Sequence, residues 1–144
     1  MTESEFRIKN TLEKAGTDAY LMTGNIHNSD IYYVTHFLAS DDFIYLQTES
    51  GQEVLFISEM ERGRAKLESR VPTIKTVQEF NYREKIKEKK DSSIAYAACI
   101  SELLQGEGVI KISVPYDFPV FYSEFLKGAG FSIVPIKSPF QKMR

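Results

Sequence analysis

The stretch FIYLQTESGQEVLFIS, residues 43 to 58, constrains the fold most. Two runs of apolar and aromatic residues alternate on either side of the polar turn Ser50-Gly51-Gln52, the pattern of an antiparallel hairpin. A hairpin buries its apolar side chains only against other elements, so the rest of the chain must supply the layers that cover it.

Residues 2 to 15 read as an opening helix: Thr2 and Glu5 fit a capping box, Ile8, Leu12 and Ala15 share a stripe, and Gly16 stops it. DAYLMT, 18 to 23, is a short strand. NSDIYYVTHFLASDD, 28 to 42, follows, with Asn28 or Ser29 able to cap a small helix whose Ile31 and Val34, with Tyr32 or Tyr33, face inward. After the hairpin, Ser58 and Glu61 make a second capping box for a helix to about Glu68, with Met60, Arg64 and Leu67 along one side. A strand at 73 to 77 precedes YREKIKEKK, 82 to 90, a mixed-charge segment that reads as a solvated helical turn or loop without a partner.

Asp91 or Ser92 then starts a helix in which Ile94, Ala97, Ala98, Ser101 and Leu104 recur at helical spacing, stopped by Gly106 and Gly108. VIKISVP is a strand. Asp117 and Pro119 open another helix, where Phe121, Tyr122, Phe125 and Leu126 cluster before Gly128 and Gly130, and FSIVPI is the last strand. Six short strands interleaved with helices predict an α/β fold, a mixed sheet of about six strands flanked by helices on both faces. No internal repeat or low-complexity tract interrupts it.

At 144 residues and 42% hydrophobic, the chain fits one domain. A net charge of -2, with both signs spread along the length, offers no basic field for nucleic acid. No apolar run approaches the ~18 residues that cross a bilayer, which leaves no membrane partner. Cys99 is the single cysteine, so no internal disulfide forms, and MTESEFRIKN is too charged for a signal-peptide core. The expectation is a soluble, cytoplasmic protein.

Two histidines, one cysteine and no His-Glu-x-x-His or Cys-x-x-Cys pattern leave too few ligands for a dedicated zinc or iron site. His27 reads as an exposed loop histidine. His36 stands beside Phe37 with Asp41 and Asp42 shortly after it, and two readings compete. A carboxylate can orient a histidine for acid-base work, or His36 is a helix C-terminal residue near the last carbonyls; spacing alone favours the second. Cys99, between Ala98 and Ile100 with no histidine near it, reads as core packing. Asp18, Asp42, Glu53 and Asp117 are acids that a small two-metal nuclease would have to aim at one point, yet they sit at element ends with no shared spacing.

The order helix, short strand, NSDIYYVTHF, acidic loop, FIYLQTESGQEVLFIS and a helix beginning EMERGRAKLES resembles the N-terminal domain of the creatinase, prolidase and aminopeptidase P family. The family motif is similar to I-x-Y-L-T-G-F: Ile31, Tyr33, Val34, Thr35 and Phe37 match, His36 stands in place of glycine, and Ala65 matches an alanine of the following helix. The resemblance implies a ribonuclease H-like fold over residues 1 to 137, with 138 to 144 starting a linker to an absent C-terminal pita-bread domain. That domain would carry the catalytic site, with two divalent ions (Mn, Co or Zn), and cleave before proline; this chain by itself would hold no cofactor, catalytic residue or metal ligand.

By the same resemblance the chain is expected to form a homodimer, to partner its own catalytic domain, and to narrow access for short Xaa-Pro peptides. The segment His36 to Asp42 is then the candidate gating loop, with His36, Phe37, Asp41 and Asp42 on it and Tyr33 supporting it. A Xaa-Pro dipeptidase of the prolidase type is the preferred parent, since this compact domain resembles those of the shorter prolidases. Two rivals remain: a self-contained small hydrolase using His36 with Asp41 or Asp42, and a stand-alone dimeric binding module.

Overall fold

The computed structural model describes residues 3–24, 29–39 and 41–140. Its elements in chain order are α1 (Glu3–Ala15), β1 (Ala19–Gly24), α2 (Ser29–Thr35), β2 (Phe43–Thr48), β3 (Glu53–Ile57), α3 (Arg62–Glu68), β4 (Thr73–Thr76), α4 (Tyr82–Lys89), α5 (Ser92–Gly106), β5 (Lys111–Pro115), α6 (Val120–Gly128) and β6 (Ser132–Ile136). The strands form a single mixed sheet in the order β4-β3-β2-β1-β5-β6. Only β2 runs against the rest, through the hairpin with β3 and its antiparallel pairing with β1.

Alternation along the strands feeds two cores. Leu21, Ile44, Leu46, Val54 and Phe56 face α5 and α6, while Tyr20, Met22, Phe43, Tyr45, Leu55 and Ile57 face α1, α2 and α3. Every residue of β2 and β3 is buried, because helices cover both faces and the strands are central. The turn between them needs the left-handed backbone of Gly51, at φ 95°.

Burying whole strands leaves Gln47 and Glu53 inside the protein. Arg70 answers Glu53 in bidentate fashion, with Nη2 donating at 2.8 Å and Nη1 at 3.2 Å, and Nη1 also donates to Glu5 on α1 at 3.0 Å. The Tyr45 hydroxyl donates to Glu53 at 2.5 Å, and Gln47 Nε2 donates to the Glu5 carbonyl at 2.9 Å. Arg70 Nε donates to Val34 O at 2.6 Å and its amide to Thr35 O at 2.9 Å, so the same residue satisfies the last carbonyls of α2.

Several local expectations change. Ser58 accepts a hydrogen bond from the amide of Met60 at the start of a 3₁₀ turn, Glu59–Glu61, whereas Glu61 pairs with Arg64 at 2.7 Å. The reciprocal capping box lies instead at Thr76 and Glu79, opening the 3₁₀ turn Val77–Phe80. The side marked by Met60 and Leu67 faces water, at 92% and 89% exposed, and α3 buries Ala65 alone. The charged segment 82 to 90 does have a partner: α4 packs on α5, with Lys85 paired to Glu102 at 3.0 Å and Tyr82 edge-on to Tyr96. Asp91 caps α5 by accepting from the amides of Ser93 and Ile94. Phe140, past the final strand, is fully buried against Tyr20 and Tyr33. Thr2, His27, Asn28 and residues 141 to 144 lie outside the described residues.

Burial pushes the Glu53 carboxyl up, but hydrogen bonds from Arg70 and Tyr45 and the Arg70 charge outweigh it and hold it below the usual glutamate range. A depressed native value stabilises the fold above the unfolded value of about 4.3, and that contribution disappears as pH falls through the native value. Urea unfolding is therefore expected to weaken more steeply between pH 5 and about pH 3 in the wild type than in Glu53→Gln. At neutral pH, Arg70→Ala is expected to lower stability by about 3 kcal/mol, since it strands a buried carboxylate. Equal pH profiles for the wild type and Glu53→Gln would show that the pair is energetically silent.

Candidate functional site

The loop from α2 to β2 is held at its middle and exposed at its ends. Thr35 Oγ1 donates to Ile31 O at 2.7 Å and accepts from the Phe37 amide at 3.1 Å, which closes α2 and turns the chain. Phe37 is buried, edge-on to Phe43 at 5.4 Å, with the Arg64 guanidinium 4.5 Å above its ring centroid. Arg64 Nη2 also donates to Leu38 O at 2.6 Å, and Glu61 and Glu68 hold Arg64 from either side. Ala39 is buried. Phe37 to Ala39 is therefore a fixed anchor, while His36, Asp41 and Asp42 face solvent.

His36 has φ 59°, the left-handed position just past a helix end, and its amide donates to Tyr32 O at 2.8 Å. Glycine reaches this conformation without a Cβ penalty, which gives a physical reason for a glycine at this point of the resembling motif. The His36 ring rests 6.0 Å from that of Tyr32. Tyr33 is half-buried and packs on Phe140, past the last strand, at 5.7 Å. Asp42 stands just before the central strand β2 and lines a cleft on the other face with tyrosines of α4, α5 and α6. Of the sequence candidates, Phe37 is thus buried, Tyr33 packs on Phe140, and His36, Asp41 and Asp42 are at the surface.

Two residues that matter here, Arg70 and Tyr96, escaped the sequence reading, and Arg64 was placed only along one side of its helix. Arg64 carried a partial signal, because arginine within a short helix containing Glu61 and Glu68 marks a held guanidinium. Arg70 and Tyr96 find their partners through the tertiary fold and leave no local pattern.

The other acids do not meet. Asp18 accepts from the amides of Lys111 at 2.9 Å and Ile110 at 3.0 Å, bonds that hold its carboxyl below the usual range. It lines a broad, open hollow of about 720 Å³ at the end of the sheet away from the loop. Glu53 is committed to Arg70, and Asp42 before β2 and Asp117 after β5 lie at the opposite end of the sheet from Asp18 before β1 and Glu53 at the start of β3. Among the described residues no group of three or more His, Cys, Asp or Glu side chains is placed to hold a metal ion. No helix among them is long and apolar enough to cross a membrane.

The family model of the Creatinase/Prolidase N-terminal domain matches residues 7–144. The chain belongs to that family. As a creatinase/prolidase N-terminal domain it superposes on the prolidase from Pyrococcus horikoshii OT3 with TM-score 0.73 at 21% identity, covering 99% of this chain and 35% of that one. It therefore spans about a third of that prolidase. The aminopeptidase P, Xaa-Pro aminopeptidase, from Streptococcus thermophilus gives TM-score 0.68 at 18% identity over 99% of this chain and 97% of that chain. The N-terminal domain of cytoplasmic peptidase PepQ from Mycobacterium tuberculosis H37Rv gives 0.67 at 15% identity over the whole of both chains. No curated protein sequence matches.

Within this creatinase/prolidase N-terminal domain, Cys99 is fully buried, and burial pushes its thiol up to about 11. At pH 8 it is expected to stay unmodified by iodoacetamide in the native protein and to react within minutes in urea; equal rates in the two states would show an open core. His36→Gly is expected to raise stability by about 0.5–1 kcal/mol in chemical unfolding, by relieving the left-handed backbone. A loss on that substitution would mean that the imidazole makes a contact stronger than the strain.

Proposed function

We propose that this chain is the noncatalytic N-terminal domain of a prolidase-like Xaa-Pro dipeptidase, and that it contributes to dimerisation and to substrate access. The observation that carries the reading is the construction of the loop from 36 to 42, with a buried anchor at Phe37 between exposed polar ends. That anchor holds the start of the loop, with Asp41 and Asp42 exposed toward its end. Asp41 and Asp42 would then attract the ammonium terminus of a short peptide and repel carboxylates, while the loop blocks longer chains sterically.

An apolar surface for a second copy is available at Tyr116, Val120 and Phe121, which are 73%, 73% and 48% exposed beside the start of α6. The acids of this chain do not fit a two-metal centre, since Asp18 and Glu53 are already engaged. In this reading the two divalent ions, Mn, Co or Zn, belong to a C-terminal catalytic domain of the parent protein, and the setting is cytoplasmic, as for the peptidase PepQ.

The test uses both forms. The 144-residue chain with added manganese or cobalt is expected to leave Xaa-Pro dipeptides intact. Hydrolysis that disappears on His36→Ala would instead establish the rival, a self-contained hydrolase. In a two-domain parent carrying this chain, replacing Asp41 and Asp42 together by alanine is expected to raise kcat/KM for tripeptides relative to dipeptides by about tenfold. An unchanged ratio would remove the gating role.

A further inference from the structure

We infer that Ser138 and Phe140 form a clasp on α2, so that the way the chain is held past the last strand sets how firmly the loop at His36 is rooted. β6 is an edge strand, next to β5 and two places from β1. Beyond it the chain turns at Pro139 and Phe140, and Phe140 reaches back to Tyr20 on β1, about 10 Å, or two strand spacings, from the edge. There its ring is wholly buried, edge-on to Tyr20 at 6.4 Å and 75°, and tilted against Tyr33 of α2 at 5.7 Å and 46°. Ser138 supplies the polar half. Its hydroxyl donates to Asp30 Oδ2, in the first turn of α2, at 2.7 Å and accepts from the Phe140 amide at 3.2 Å. One hydroxyl therefore shapes the turn that aims Phe140 and ties that turn to the helix that Phe140 meets.

A helix like α2 needs such a hold. At seven residues it has two turns, too few to persist on propensity alone. Ile31 and Val34 bury one side of it, and Arg70 and Ser69 take its last carbonyls. Asp30 and Tyr33 meet the segment after β6. The helix is thus gripped by two pieces of chain far apart in sequence, and the grips differ in kind. Arg70 is locked between Glu53 and Glu5, on β3 and α1, whereas the clasp sits past an edge strand and holds by a ring and a hydroxyl. The clasp is therefore the grip that opens first. Opening it exposes the Phe140 ring, removes that packing from Tyr33 and breaks the bond from Ser138 to Asp30, so α2 loosens and the chain at His36 loosens with it.

The clasp stands on geometry that involves no reaction; only its consequence for peptide access rests on the gating reading. Residues 138 to 140, which read in the sequence as the start of a linker, are in this inference a working part of the folded unit. The coupling is reciprocal: tension on the chain past Phe140 opens the clasp, and a firmly seated α2 keeps it shut.

Amide hydrogen exchange followed by NMR on the 144-residue chain tests it. Phe140→Ala is expected to speed exchange at Tyr33, Val34, Thr35 and His36 by about a hundredfold, the effect of emptying a buried aromatic site. Ser138→Ala is expected to speed it by about fivefold, for one lost hydrogen bond. Leu126→Ala, on α6 in the other core, lowers global stability without touching the clasp. It is expected to leave the same amides within about twofold, because they exchange through a local opening. Dispersed spectra establish that each variant folds, and Ser138→Ala, which keeps the buried ring, decides the case if Phe140→Ala does not. Unchanged exchange at α2 in the clasp variants would overturn the inference, since α2 would then open by itself. An equal response to Leu126→Ala would also overturn it, since α2 would then open only with the whole fold. Neither readout uses a peptide substrate, so the clasp stands or falls apart from the gating role.

Discussion

Arg70 ties together elements that the chain places far apart. Its guanidinium meets Glu53 on β3 and Glu5 on α1, and it donates to Val34 O at the end of α2. Taking such a group out of water is unfavourable unless nearly every donor finds an acceptor, and here the fork of Arg70 does so. Tyr45 and Gln47 extend the network along β2, so a central strand that would otherwise hide isolated polar groups carries a connected set. The register of the hairpin and the seating of α1 and α2 depend on that set. A one-residue slip of β3 would send Glu53 to the opposite, apolar core.

The same residue links the fold to the loop. By taking the carbonyls of Val34 and Thr35, Arg70 and Ser69 finish a helix of only two turns whose own propensity could not define its end. The point at which His36 leaves α2 is thereby set from the segment before β4. Arg64 performs the next step over Phe37 and Leu38, two residues on. Two arginines from one region after the hairpin thus hold the start of the loop before it.

The sequence made the hairpin, the small helix and the alternation of strands with helices legible, because each is written in neighbouring residues. Period-two patterning survives in β2 and β3 even though both faces are buried; it sorts side chains between two cores and not between core and water. Met60 and Leu67 misled for the converse reason: helical spacing reports a shared side, not which way that side turns, and here Ala65 permits the close approach. YREKIKEKK looked partnerless because its charges dominate, while Tyr82 and the buried stem of Lys85 attach it to α5. Phe140 lay in a basic, polar tail and its burial depends on a groove between Tyr20 and Tyr33 that only the folded sheet creates.

Within the candidate site, the sequence singled out a segment but could not separate its parts. His36 and Asp42 are six positions apart, yet one rests against Tyr32 on the α1–α3 side of the sheet and the other lines a cleft with tyrosines on the α5 and α6 side. Asp42 consequently feels two environments, an open loop surface shared with Asp41 and an aromatic cleft rich in hydroxyl groups.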